Sequence, residues 1–157
     1  SMGSWIAYEL THAIRQKIGQ SPVHLFAAAM PPPCENGAFI KDMPIDESLM
    51  PHMEIPEPLR GDDTFMNEWL NLFNADAGLF QTYHCQDRPP LDCPITAFGG
   101  ESDELVSRTD LSAWYRYTSD TFRLQLLPGQ HMFPVGSRHQ LLAAIKQDLT
   151  PFLYSGH

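Results

Sequence analysis

The chain has 157 residues, 43% hydrophobic, 11% aromatic and 18% charged, which excludes a disordered polymer and supplies one core of ordinary domain size. Nineteen acidic against ten basic residues leave a formal charge of −9, which makes nucleic acid and anionic membrane surfaces poor partners on charge, and neither is expected. No apolar run approaches the roughly 18 residues of a membrane span, and no basic segment followed by an apolar stretch opens the sequence; a cytoplasmic protein is expected.

In chain order, Ile6, Leu10, Ile14 and Ile18 lay one apolar stripe along a helix that Gly19 stops. After the Gly19-Gln20-Ser21-Pro22 turn, the run Val23 to Ala29 is continuously apolar apart from His24, the pattern of a strand in a parallel sheet with both faces covered. Met30 to Asp63 then holds seven of the fourteen prolines and keeps no period of 2 or 3.6, which forbids regular ladders. A connection of this length is often functional, and residues 31–85 are expected to form a lid insertion. From Thr64, a plausible N-cap, periodicity returns with Phe65, Met66, Trp69, Leu70, Phe73, Ala77 and Phe80 on one helical stripe.

Beyond Pro89-Pro90 the order is strand, helix, strand, helix: Ile95 to Phe98, Arg108 to Tyr117 with a Ser107/Asp110 capping box, Phe122 to Leu127, and Arg138 to Leu149 striped by Leu141, Leu142, Ile145 and Leu149. The alternation predicts an α/β fold with a mostly parallel sheet, helices on both faces and one helical insertion, all within a single domain over 1–157. Cys34, Cys85 and Cys93 are odd in number and lack C-x-x-C spacing, so neither a disulfide framework nor a thiolate zinc site is expected.

Loops at the carboxyl ends of parallel strands collect reactive groups. Asp103 follows the strand starting at Ile95, His131 follows the strand starting at Phe122, and Ser1 stands immediately before the first helix. Serine, then aspartate, then histidine is the chain order of an α/β-hydrolase triad. Glu101 and Glu104 flank Asp103 and could also orient an imidazole. Of the other histidines, His12 and His139 fit exposed helix positions and His24 a satisfied strand position, while His52, His84 and His157 fit loops or chain ends. No H-E-x-x-H spacing exists, so no metal is expected.

Three blocks carry a resemblance. Ser1-Met2-Gly3-Ser4-Trp5-Ile6-Ala7-Tyr8-Glu9-Leu10 resembles the nucleophile serine and following helix of the type II, or editing, thioesterases of nonribosomal peptide and polyketide synthesis, members of the α/β-hydrolase superfamily. Leu91 to Gly100 with Asp103 resembles that family's strand and acidic loop, and Leu127-Pro128-Gly129-Gln130-His131-Met132-Phe133 its histidine loop, with Gln130 where a second glycine is common. The resemblance implies Ser1 as nucleophile, His131 as base, Asp103 as orienter, the Met2 N–H as an oxyanion donor, and Phe65, Trp69 and Phe73 as walls of an acyl channel, with Met43, Met50 and Met53 as adaptable packing over it. It implies hydrolysis of acyl thioesters on the phosphopantetheine arm of acyl or peptidyl carrier proteins, by a monomer without a cofactor of its own. It further implies a partial α/β-hydrolase fold whose amino-terminal strands, first elbow glycine and second oxyanion donor would precede Ser1, so little activity is expected of this chain alone. Three other readings remain: an esterase of the same fold acting on oxygen esters, a noncatalytic hydrolase fragment acting as an interaction partner, and an amino-terminal nucleophile hydrolase using the Ser1 amine as base.

Overall fold

The computed structural model describes residues 1–34, 55 and 57–153. Met43, Met50, Met53, His52 and His157 lie outside the described residues. The chain forms two compact units, one of Ser1–Pro32 together with the chain from Asp87 onward, the other of Pro33–Gln86.

The first unit is built on a parallel sheet in the order β1 (Leu25–Ala28), β2 (Ile95–Gly100), β3 (Phe122–Leu127). The strands start in step, Leu25 opposite Ile95 and Ile95 opposite Phe122. The loops leaving their carboxyl ends therefore share one rim. Every residue of β2 is buried, as a central strand between two partners requires, while β1 alternates between buried and half-buried. Phe98 and Gly99, adjacent on β2, point to opposite faces. Phe98 joins Ala29, Leu127, Phe133 and Ala144 in a buried cluster, with Ala144 supplied by α6 (Arg138–Leu153) and Phe133 by the short α5 (Phe133–Gly136). Gly99 faces Leu111 of α4 (Arg108–Ser112) on the other side. Helices thus pack on both faces of a small α/β sheet.

α1 (Met2–Ile18) ends where Gly19 adopts φ 72°, a left-handed conformation that costs glycine little, and donates its N–H to Arg15 at 2.9 Å. The apolar stripe on this helix faces outward: Ile6, Leu10 and Ile18 are 57%, 55% and 64% exposed. The inward face consists of Ser4, Trp5, Tyr8, Thr11 and His12. It is polar by composition, yet Ser4 bonds β1, Thr11 bonds the Ala7 carbonyl at 2.8 Å, and Trp5 and Tyr8 supply the apolar area. His12, expected at an exposed position, is buried against Tyr8, ring centroids 4.6 Å apart.

The helix expected over Arg108 to Tyr117 is α4 followed by a 3-10 turn over Ala113–Tyr117, and the Ser107/Asp110 capping box forms in full. The last helix runs four residues beyond Leu149, through Pro151.

The second unit contains α2 (Glu57–Arg60) and α3 (Asp63–Thr82). The N-cap of α3 is Asp62 rather than Thr64: its carboxylate accepts the N–H groups of Thr64 and Phe65, both at 3.0 Å, which a charged acceptor does better at a helix start. Cys34 and Cys85 form a disulfide across 51 residues, with Cα atoms 5.2 Å apart. This corrects the expectation that no disulfide forms; sequence spacing holds no information about two chain ends that return to one place. Cys93 is buried and free, and burial pushes its thiol up to about 11.

Candidate active site

β2 ends at Gly100, and the chain turns across the end of β3: Glu101 N–H bonds the Leu127 carbonyl at 2.9 Å and Ser102 N–H bonds the Gly129 carbonyl at 3.0 Å. The turn delivers Asp103, whose Oδ1 accepts the N–H groups of Leu105 at 2.9 Å and Val106 at 3.1 Å. From the neighbouring strand, Pro128-Gly129-Gln130 carries His131 inward. Gly129 adopts φ 123°, a region open to glycine alone at low cost. The Nδ1 of His131 then meets Oδ2 of Asp103 at 3.0 Å.

The Asp103 side chain is fully enclosed and the imidazole is 9% exposed. Burial alone would raise the Asp103 carboxyl, but hydrogen bonds and charge from His131 and the N–H groups of Leu105 and Val106 outweigh it and hold the group below its ordinary value. The carboxylate is therefore charged, oriented on three sides and aimed at one ring nitrogen. A carboxylate on Nδ1 selects the tautomer that carries its proton there and leaves Nε2 as a basic lone pair.

Of the acidic residues in this loop, the structure joins Asp103 to His131; Glu101 and Glu104 are exposed. Ser1 precedes α1, and its carbonyl accepts the Ser4 N–H at 2.9 Å. Ser4, one turn along the same helix, is tied to Ala28 at the carboxyl end of β1, the end of the sheet from which the Asp103 and His131 loops leave. No hydrogen bond among the described contacts joins the Ser1 hydroxyl to the imidazole. Met2 opens α1, where first-turn N–H groups have no partner within the helix. Phe65, Trp69 and Phe73 are half-buried along α3 in the second unit, with the rings of Trp69 and Phe73 stacked at 5.2 Å.

Sequence reasoning missed the residues that fix this rim. The Ser4 hydroxyl donates to the Ala28 carbonyl at 3.1 Å and accepts the Ala28 N–H at 2.9 Å, tying α1 to β1 one turn after Ser1. Ala29 follows with φ 51°, and the chain leaves the sheet beneath two buried tryptophans. The partner of Ser4 lies 24 residues along the chain, so no local pattern marks it.

A thioesterase-domain family model matches residues 1–149. The chain belongs to the thioesterase family. This thioesterase-family chain is 33% identical over 147 residues to the gramicidin S biosynthesis protein GrsT of Aneurinibacillus migulanus, a match covering 90% of the chain and 57% of that protein. Among solved structures it resembles the RedJ thioesterase of the prodiginine pathway in Streptomyces coelicolor, with a TM-score of 0.84 and 30% identity over 95% of the chain and 61% of RedJ. ClbQ of the colibactin pathway gives a TM-score of 0.80 at 25% identity, covering 99% of the chain and 68% of ClbQ. The chain spans about three fifths of the length of the first two relatives. Among the described residues, no group of three or more histidine, cysteine, aspartate or glutamate side chains gathers as a metal site, and no helix is long and apolar enough to cross a membrane.

Proposed function

We propose that the protein carrying this chain hydrolyses acyl thioesters on the phosphopantetheine arm of carrier proteins in nonribosomal peptide or polyketide synthesis, through Ser1, Asp103 and His131. The observation that carries this reading is the 3.0 Å contact between His131 Nδ1 and the enclosed Asp103 carboxylate, on loops leaving neighbouring parallel strands. Similarity to GrsT, a gramicidin S biosynthesis protein, and to RedJ, a thioesterase of a biosynthetic pathway, supports the substrate class.

In this mechanism His131 Nε2 accepts the Ser1 proton as Oγ bonds the thioester carbonyl carbon. The oxyanion that develops is stabilised by the Met2 N–H. Collapse breaks the carbon–sulfur bond, and the imidazolium gives its proton to the departing thiolate. A water then gives a proton to His131 as its oxygen bonds the acyl carbon, and the imidazolium returns that proton to Oγ as the carbon–Oγ bond breaks, releasing the acid and restoring Ser1. Asp103 stabilises the imidazolium throughout without taking its proton.

The three-stranded sheet is read as part of a larger hydrolase sheet, residues 31–85 as its lid, and Phe65, Trp69 and Phe73 as apolar contacts for the acyl chain. A cytoplasmic monomer without a cofactor is the setting this reading expects. The intact protein should take up one fluorophosphonate label at Ser1, lost in His131→Ala, and should cleave acyl-pantetheine thioesters faster than the matching oxygen esters. Absence of labelling at Ser1 in an otherwise folded protein overturns the nucleophile assignment, and preference for oxygen esters overturns the substrate class.

A further inference from the structure

β2 ends on two consecutive glycines whose surroundings differ. A Cβ built on Gly99 would meet only side-chain carbons, those of Leu111 and, at 3.1 Å, Leu126. These are side-chain ends, and although Leu111 is 1% exposed, its methyl can yield by a shift within the core that leaves the loop backbone in place. A Cβ built on Gly100 would fall within 3.0 Å of the carbonyl oxygens of both Gly129 and Gln130, with the Gln130 carbonyl carbon at 2.9 Å. Those atoms are backbone and cannot rotate away.

The backbone that Gly100 abuts is the segment immediately before His131. Two hydrogen bonds and one buried side chain tie it down. Gly129 O accepts the Ser102 N–H at 3.0 Å, Gln130 O accepts the Phe133 N–H at 3.0 Å, and Phe133 is 1% exposed in the core. Gly100 O in turn receives the Asp103 N–H at 3.3 Å. One residue without a side chain therefore lies under the histidine loop while its own carbonyl holds the acid loop.

We infer that Gly100 is a positioning residue for the Asp103–His131 pair: the absence of a Cβ lets the two loops approach closely enough for the 3.0 Å contact between Nδ1 and Oδ2. A methyl group there lifts the Gly129-Gln130 carbonyls, and the imidazole moves with them. Its catalytic meaning rests on the proposed function; its geometric meaning does not.

The pair Gly99→Ala and Gly100→Ala separates positioning from general destabilisation, since both crowd the same strand end. In the 157-residue chain with 15N-labelled histidine, the His131 ring is assigned by its loss in His131→Ala. The wild type should show the Nδ1–H tautomer, with a downfield ring proton from its bond to Asp103. Gly99→Ala should keep both signals even where its melting temperature falls. Gly100→Ala should lose the downfield proton and shift toward the Nε2–H tautomer. In the intact protein, Gly100→Ala should lower kcat on an acyl-pantetheine thioester about 100-fold, the scale expected for a misplacement near 1 Å, with KM within twofold. Where Gly100→Ala does not fold, Gly129→Ala, which strains a φ of 123° on the other side of the same contact, carries the test with the same expected ring signature.

A folded Gly100→Ala that keeps the wild-type tautomer and downfield proton overturns the inference, as does a Gly99→Ala that loses them. A changed ring signature in a protein whose wild type cleaves no thioester supports the positioning role and counts against the proposed function alone.

Discussion

Trp5 and Trp114 place their indole N–H groups on adjacent backbone carbonyls, Trp5 on Pro31 at 2.7 Å and Trp114 on Met30 at 2.9 Å. One comes from α1 and the other from the 3-10 turn after α4. Together they fix the chain where it leaves β1, and Trp114 is completely buried. Replacing Trp114 with Phe keeps most of the ring but orphans a buried carbonyl. A loss of about 1 to 3 kcal/mol in unfolding free energy is expected, read from urea midpoints with an unchanged m-value.

Asp103→Asn tests the role of charge at the site with little change in shape. The amide oxygen can still accept the Leu105 and Val106 N–H groups, but the selection of the His131 tautomer is lost. If the proposed triad operates, the kcat of the intact protein should fall roughly 10⁴-fold, the scale of an Asp-to-Asn change in a Ser-His-Asp triad. The folded-state carboxyl lies below its ordinary value of 3.8, so its stabilisation is complete above that pH and disappears as pH falls through the lower folded value. Asp103→Asn should therefore be less stable than wild type at pH 7, with the difference closing in strong acid. The comparison is made with denaturation curves at both pH values.

At the strand starts a second histidine sits in a different network. His24 Nε2 lies 2.9 Å from Thr96 Oγ1, which donates to Asp148 at 2.9 Å, and Arg123 donates to the same carboxylate oxygen at 2.7 Å. The ring stacks on Phe26 with centroids 4.3 Å apart, and its Nδ1 has no hydrogen-bond partner among the described residues. Burial lowers the His24 value below 6.5; Asp148 and Asp120 oppose this and Arg123 adds to it. A lowered folded value means that the unfolded chain binds the proton first. Stability should fall as pH drops from about 6.5 toward the folded value, by at most about 1.4 kcal/mol per pH unit for this group. His12, also lowered by burial and by Arg88 and Arg15, adds to the slope. His24→Asn should flatten the pH dependence of the melting temperature between pH 7 and 5; an unchanged slope removes His24 as its source.

The Cys34–Cys85 bond predicts one titratable thiol, Cys93, in the denatured unreduced protein, and three after reduction. Closing a loop of this length restricts the unfolded chain by about 4 kcal/mol in the entropy account. Reduction, or Cys34→Ser with Cys85→Ser, should speed protease cleavage within the 33–86 unit while leaving the His131 ring signals unchanged.

The strands, the capping box and the Asp103–His131 pair were legible because each rests on local pattern or on chain order across parallel strands. α1 was legible as a helix but not in its orientation. The stripe of Ile6, Leu10 and Ile18 looks inward by composition, while the face that packs satisfies Ser4 through Ala28 and buries His12 against the Tyr8 ring. Hydrophobicity ranks residues by transfer cost, and a polar group whose partner lies far along the chain escapes that ranking. Gly100 and the cysteine pair were hidden for the same reason: their meaning depends on backbone that returns from elsewhere.

The in-step strands also separate two histidine–carboxylate pairs, His24 with Asp148 at one end of the sheet and His131 with Asp103 at the other. A six-residue strand puts roughly 15 to 20 Å between them. Across that span direct charge coupling is below about 1 kcal/mol even before ionic screening. Acid taken up at the strand starts is thus insulated from the rim that holds Asp103 and His131, and protonating His24 leaves the charge at that far pair unchanged.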